Sequence, residues 1–378
     1  AAATTAGVTT DKGQAVTQRL NSTACKDAGI RHTTCEVLYL FCGQRRRADL
    51  RAALQEHGVS EGLEVKVHEY DVINGADQDL DNDKVWDDIL IRIRAGAYAA
   101  IVVSPPCSTF SRATFNRTRG PPPMRSAKHP WGFPWILGRR RSKLRTANRL
   151  VKKAILAIAA GDEVGTPYVL EFPEDLGVKQ GRHPASIWQL TCTKNLAAAS
   201  NAHRIALYQR WFGTPFLKPT GLLTTCTPTQ KLSLVGWPKF DDQGRYTGPL
   251  VYEHAAPMQL GAENTAGTAA YPPLMNMAIA EMIIKTIKRK RSLLGLAPEE
   301  GGKTAAPNGG RAAAFAAMER DIDLFADMDF GATTGVAPTS AGSSVGSASS
   351  LPAPRTPPAA AGSVSRDAVD IPVRTLTQ

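Results

Sequence analysis

From residue 36 to residue 291, short apolar runs alternate with stretches whose apolar positions recur every three or four residues. The run Glu36-Val-Leu-Tyr-Leu-Phe41 predicts a first buried strand, which turns at Cys42-Gly43 into a helical pattern over 47–57. A second strand is expected over 64–71 and a second helix over 84–95, leading to the apolar run Ala100-Ile-Val-Val103. That run stops at Pro105-Pro106, because proline donates no ladder hydrogen bond and moves its predecessor away from helical geometry. Further along, the pattern predicts a helix ending near 160, a strand over 167–171 and a short helix over 187–190. Strands over 203–212 and 220–226 follow, then a turn-rich hairpin insertion over 236–253 and a last helix over 271–285. Strand and helix in alternation with short turns predict an α/β fold, Rossmann-like, with a mainly parallel sheet wound by right-handed crossovers.

The two ends break this pattern. Residues 1–34 are rich in threonine and alanine and show no sustained period, and 292–378 shift to glycine, alanine, serine and proline. A disordered leader, a folded domain over 35–291 and a disordered tail are therefore expected, with one short helix in the tail over 312–330. The net charge of +11 points to a polyanionic partner, nucleic acid first and an anionic membrane surface second. No apolar run reaches the ~18–20 residues of a membrane helix, so a soluble, intracellular protein is expected. If the cell has a nucleus, the basic cluster 288–291 would direct the protein there. The six cysteines include no Cys-x-x-Cys pair and no histidine cluster lies at zinc-ligand spacing, so neither a disulfide framework nor a metal site is expected.

Candidate chemistry gathers at the predicted strand ends. Cys107 follows the double proline at the carboxyl end of its strand, where open α/β sheets bind ligands, and Glu171 closes the next strand just before a proline. A thiol and a carboxyl brought to one crevice make a nucleophile and acid pair, and Arg112 is the basic residue nearest in sequence to favour the thiolate. Gly43 at a strand-to-helix turn lets backbone approach a ligand, beside Phe41 at the strand's end. Glu69 or Asp71, one strand later, is placed to take ribose hydroxyls, while Asp79 lies in the acid-rich loop before the second helix. The proline- and aromatic-rich segment 112–138 is long enough to be a lid or substrate loop. It runs into 139–153, a stretch without any acidic residue that starts Arg139-Arg140-Arg141 and suits phosphate contacts.

Ser104-Pro-Pro-Cys-Ser-Thr-Phe-Ser111 resembles the nucleophile motif of the cytosine carbon-5 DNA methyltransferases. Leu40-Phe41-Cys42-Gly43 is similar to that family's first cofactor loop, and Glu171 stands where its Glu-Asn-Val motif has glutamate. Gln209-Arg210 resembles its Gln-x-Arg strand, and Asn264 with the following helix resembles its closing motif. The likeness spans about 36–287 and is strongest to the compact, divergent members found in mobile elements and phages. It implies an S-adenosylmethionine-dependent methyltransferase fold with the cofactor held by Phe41, Gly43, Glu69, Asp71, Asp79, Pro105 and Asn264. It further implies DNA as the substrate, more than RNA, contacted by Ser111, Arg112, Arg139, Arg140, Arg141, Gln209 and Arg210. Cys107 would add to carbon 6 of a flipped cytosine while Glu171 protonates ring nitrogen 3. Only 227–257 is available as a small insertion in place of a target-recognition domain. Gly43-Gln44-Arg45 lacks the family's further glycines, and Phe172 replaces the asparagine after the glutamate. Two alternatives stay open: a nucleic-acid-binding relative without turnover, and an amino-methylating enzyme.

Overall fold

A computed structural model describes residues 33–116, 121–251 and 269–295. They lie in the first of two units, Ala1–Phe330; the second, Gly331–Gln378, lies outside the described residues. Also outside them are residues 1–32, Asn264, the expected helix over 312–330 and the tail beyond 295.

Five helices and eight strands follow in chain order among the described residues. They are β1 (Thr33–Leu40), α1 (Leu50–Ser60), β2 (Leu63–Tyr70), α2 (Asp83–Arg94), β3 (Ala100–Val103), α3 (Gly138–Glu163) and β4 (Tyr168–Pro173), then α4 (Thr191–Ser200), β5 (His203–Tyr208), β6 (Pro219–Thr224), β7 (Lys239–Phe240), β8 (Tyr246–Gly248) and α5 (Pro273–Gly295). Six strands form one sheet in the order β2-β1-β3-β4-β6-β5. The first four are mutually parallel, and β6 runs antiparallel between β4 and β5. This is an α/β fold with a mostly parallel sheet, compatible with a Rossmann-like arrangement. β7 and β8 pair as a separate small hairpin, where the turn-rich segment predicts one.

Alternation along the buried strands divides the core. Leu38 and Leu40 of β1, Ile101 and Val103 of β3, and Leu170 of β4 pack with α2, α3 and α4 on one face. Val37, Tyr39, Val102 and Val169 point the other way, into a second cluster with α1 and α5. Both faces are covered, which is why these strands read as continuous apolar runs. Local signals set the helix starts: Asp49 accepts from the Ala52 amide at 3.0 Å to cap α1, and Asn82 accepts from the Lys84 amide at 3.0 Å to cap α2.

Several expected boundaries move. β1 begins at Thr33, inside the segment read as leader, and α5 runs to Gly295, past the expected domain end. The basic cluster near its end is docked on the domain: Lys288 pairs with Glu61, Lys290 donates to the Gly165 carbonyl at 2.7 Å, and Arg291 donates to the Thr34 carbonyl at 3.0 Å. Glu171 lies within β4 and not at its end, because the strand continues through Pro173 while the antiparallel neighbour β6 is paired alongside. The Glu174 amide still donates to the Pro219 carbonyl at 3.0 Å. Gln209 and Arg210, expected on a strand, belong to a 3-10 turn at Gln209–Phe212 that begins as β5 ends.

Candidate functional site

The chain leaves β1 for β2 on one side and returns to β3 on the other, so the loops after β1 and β3 diverge at the carboxyl edge of the sheet. Such a switch point is where open α/β sheets form their ligand crevice. Phe41 enters the first loop with a left-handed φ of 60°, its amide donating to the Tyr70 carbonyl at 2.7 Å. At Gly43, also left-handed with φ 71°, the amide donates to Asp71 Oδ2 at 2.9 Å and the carbonyl accepts from Asn74 Nδ2 at 2.9 Å. Among the described residues no atom lies within 4 Å of where a Cβ on Gly43 would stand, so the backbone there faces open space. The second oxygen of Asp71 accepts from the Ile73 amide at 3.1 Å, so this carboxylate ties the two strand ends together. Glu69 is paired with Arg45 at 2.8 Å and Arg51 at 3.0 Å. Beside them Val72 and Ile73 leave apolar side chains 60% and 63% exposed. Asp79 accepts from the Asp81 amide at 2.9 Å and shapes the turn that leads to the α2 cap.

The second loop starts on β3. The Ser104 amide donates to the Leu40 carbonyl at 3.2 Å, Pro105 is buried, and Cys107 emerges exposed. Its loop rests on a fixed base: Phe110 meets Phe172 edge-on at 5.4 Å, and the buried Arg125 guanidinium lies 3.7 Å over the Phe110 ring and donates to Thr109 Oγ1 at 2.7 Å. Among the described residues Cys42 is half-buried and Cys35, Cys192 and Cys226 are buried, so Cys107 is the exposed thiol.

Glu171, only 8% exposed, comes from the neighbouring strand on the α5 side. Tyr271, just before α5, hydrogen-bonds to the Glu171 carboxyl, and its hydroxyl lies 2.5 Å from Ser104 Oγ, which also bonds to Tyr39. Lys218, at the entry to β6, donates to the Ala269 carbonyl at 3.2 Å, and its ammonium lies 6.0 Å from the centre of the Tyr271 ring. Although Cys107 reaches solvent, the protein packed around its sulfur and then the Glu171 charge push its thiol up to about 11, while Lys218 pulls it down. Burial likewise raises the Glu171 carboxyl, against the Lys218 charge and the Tyr271 hydrogen bond. The ammonium itself is lowered by burial and held up by Glu171 and Cys107. Thiol and carboxyl therefore compete for a single negative charge, which Lys218 stabilises on either.

Arg112 does not fill the role the sequence predicts for it. It donates to the Val178 carbonyl at 2.6 Å and turns its charge away from Cys107; Lys218 is the cation that acts on the thiol. Nothing in the sequence around Lys218 marks it, since it reaches the site only through the reversed strand β6. Tyr271 carries one weak signal, its place before the double proline that opens α5.

The remaining substrate candidates separate. Ser111 caps the turn Arg112–Phe115, accepting from the Ala113 amide at 3.3 Å. Arg139 and Arg140 are exposed and Arg141 is half-buried at the start of α3. The rest of the basic run is partly engaged in the fold: Arg149 pairs with Asp81 through bonds of 2.8 and 2.6 Å, and Lys153 bonds to the Leu80 carbonyl and Asp83 at 3.0 and 2.9 Å. Because α3 carries the chain from the carboxyl end of β3 back to the start of β4, Arg139–Arg141 lie on the same side of the sheet as Cys107. Gln209 is fully buried and donates to Thr220 Oγ1 at 3.2 Å, while Arg210 is exposed.

No family model, curated protein or solved structure matches the chain. Among the described residues no helix is long and apolar enough to cross a membrane.

Proposed function

We propose that the protein is an S-adenosylmethionine-dependent DNA (cytosine-5)-methyltransferase with a Rossmann-like methyltransferase fold, Cys107 its nucleophile and Glu171 its proton donor. One observation carries this reading: an exposed thiol and a buried carboxyl from adjacent parallel strands share the carboxyl edge of the sheet, with Lys218 acting on both. The β1 turn fits the cofactor. Open backbone at Gly43, the Phe41 ring and the exposed Val72 and Ile73 offer apolar surface to an adenine, beside the carboxylates Glu69 and Asp71 for a ribose. Bound there, S-adenosylmethionine supplies an electrophilic methyl group.

The chain's own residues do the rest. Protonating Glu171 removes the negative charge that raises the Cys107 thiol, and Lys218 then stabilises the thiolate. The thiolate sulfur forms a bond to carbon 6 of a cytosine lifted out of its stack. Glu171 gives its proton to ring nitrogen 3, so the electrons of the 5,6 double bond make carbon 5 nucleophilic. After carbon 5 is methylated, solvent water takes its proton as the carbon–sulfur bond breaks and the thiolate departs, and ring nitrogen 3 returns its proton to the Glu171 carboxylate, which restores the neutral ring. Tyr271, tied to Ser104, positions Glu171 throughout. The exposed arginines at the head of α3 hold the phosphate backbone.

A second reading, nucleic-acid binding without turnover, is favoured by the Cys107 thiol at about 11, which leaves little thiolate at neutral pH. Incubating the full chain with duplex DNA and methyl-labelled S-adenosylmethionine, then separating the nucleosides, decides between them. Label in 5-methylcytosine supports methyl transfer, label in an N-methylated base supports the amino-methylating alternative, and DNA binding without label supports the second reading.

A further inference from the structure

A cleft of about 600 Å3 lies between the loop that precedes α3, the head of α3 and the turn after β4. Its size is within the ~300–1,000 Å3 of small-molecule sites. Phe133 and Trp135 stack in parallel with centres 4.7 Å apart and planes 10° off, and His129 meets both edge-on at 5.7 and 5.8 Å. The three rings brace one another, yet Trp135 is 66% exposed and Leu137, two residues on, 71%. Among the described residues two cations line the cleft, Arg140 and Arg182, and no carboxylate does. Arg140 is oriented by the Pro122 and Pro123 carbonyls, at 2.9 and 3.3 Å, through one of its terminal nitrogens. The Arg182 guanidinium makes no hydrogen bond or ion pair among the described residues.

We infer that this cleft binds one unpaired base of the nucleic-acid strand, its ring stacked on Trp135 and a neighbouring phosphate held by Arg140 and Arg182. A flat exposed aromatic surface selects a planar partner, and two guanidiniums without a carboxylate select an anionic one. A nucleotide is both. Arg139, next to Arg140 in the chain and outside the lining, is exposed as well, and this further cation favours a strand over a free mononucleotide. Only an unpaired base has a ring face to offer, since bases in a duplex are stacked on both sides. The turn Arg112–Phe115 connects the Cys107 loop to the cleft through Phe115, one of its lining residues, so one strand can meet both.

The inference rests on the nucleic-acid part of the proposed function, and its test separates the two. Fluorescence anisotropy of the full chain with labelled DNA compares a fully paired duplex with the same duplex carrying a short single-stranded gap. Wild type is expected to bind the gapped DNA roughly tenfold tighter, as one base stack is worth. Trp135→Ala should erase that preference, while Trp135→Phe, which keeps a ring, should retain most of it. Arg182→Ala should flatten the salt dependence of log K by roughly 0.7–0.9. Cys107→Ser should leave the preference intact. A wild type that binds both DNAs equally, or a Trp135→Ala variant that keeps the preference, overturns the inference even if methylation is normal. A Trp135-dependent preference in a protein that never methylates DNA upholds it while the methyltransferase reading falls.

Discussion

Because the charge on Glu171 raises the Cys107 thiol and the charge on Lys218 lowers it, removing each should move thiol reactivity in opposite directions. With the thiol at about 11, its thiolate fraction at pH 8 is ~0.1%, against ~24% for an unperturbed thiol near ~8.5. A more basic thiolate is intrinsically the better nucleophile, which offsets part of that deficit. Cys107 should therefore alkylate with iodoacetamide on the order of tenfold more slowly than a free thiol at pH 8. Its rate should rise about tenfold per pH unit and level off only near 11. Glu171→Gln removes the anion, lowers the thiol and speeds alkylation. Lys218→Met removes the cation, raises the thiol and slows it; an opposite charge nearby moves a pKa by roughly 1–3, so a tenfold loss is the low end. Mass spectrometry of the Cys107 peptide reads this thiol alone. A rate that levels off at pH 8–9, or two substitutions that change it in the same direction, would refute the shared-charge account.

In the basic run, Arg139→Ala with Arg140→Ala should weaken DNA binding and flatten its salt dependence by roughly 0.7–0.9 for each phosphate no longer neutralised. Arg149→Ala, which breaks the pair with Asp81, should leave that slope unchanged and appear in thermal melting instead. Asp71→Ala frees the Gly43 amide and should raise the S-adenosylmethionine Kd at least several-fold by calorimetry, with faster hydrogen exchange at Gly43. Gly221→Ala would drive a Cβ into the buried Arg204 guanidinium, costing roughly 1–3 kcal/mol and several degrees in Tm. Arg204→Met would leave the buried Glu174 without its cation and with only the Tyr246 hydroxyl bonded to it, at roughly 3–5 kcal/mol, more than the glycine change.

Much of the parallel half of the fold is legible in the sequence because strands buried on both faces read as unbroken apolar runs. Glu36–Phe41 and Ala100–Val103 are the clearest cases, and the double proline after the second is what draws attention to Cys107. The antiparallel part is less legible. The sequence marks a strand over 220–226, but not that the strand is inserted in reverse between β4 and β5. That insertion brings Lys218 to Cys107 and extends β4 past Glu171. Arg112 misleads for a related reason: proximity in sequence to Cys107 says little when the chain turns at Ser108–Phe110 and again at Arg112–Phe115. The charge run 139–153 reads as uniform because sequence hides which side of a helix meets Asp81 and Asp83.

Methyl transfer by this route requires a covalent bond between Cys107 and a cytosine. Duplex DNA carrying 5-fluorocytosine tests it directly, because fluorine on carbon 5 blocks the proton loss that would release the thiolate. Incubated with S-adenosylmethionine and resolved under denaturing conditions, wild type should give a protein–DNA adduct whose mass places the link on the Cys107 peptide. The adduct should be absent without S-adenosylmethionine and absent in Cys107→Ser, and it should form more slowly in Glu171→Gln. An adduct that persists in Cys107→Ser, or none in a wild type that binds both DNA and cofactor, would contradict the claim.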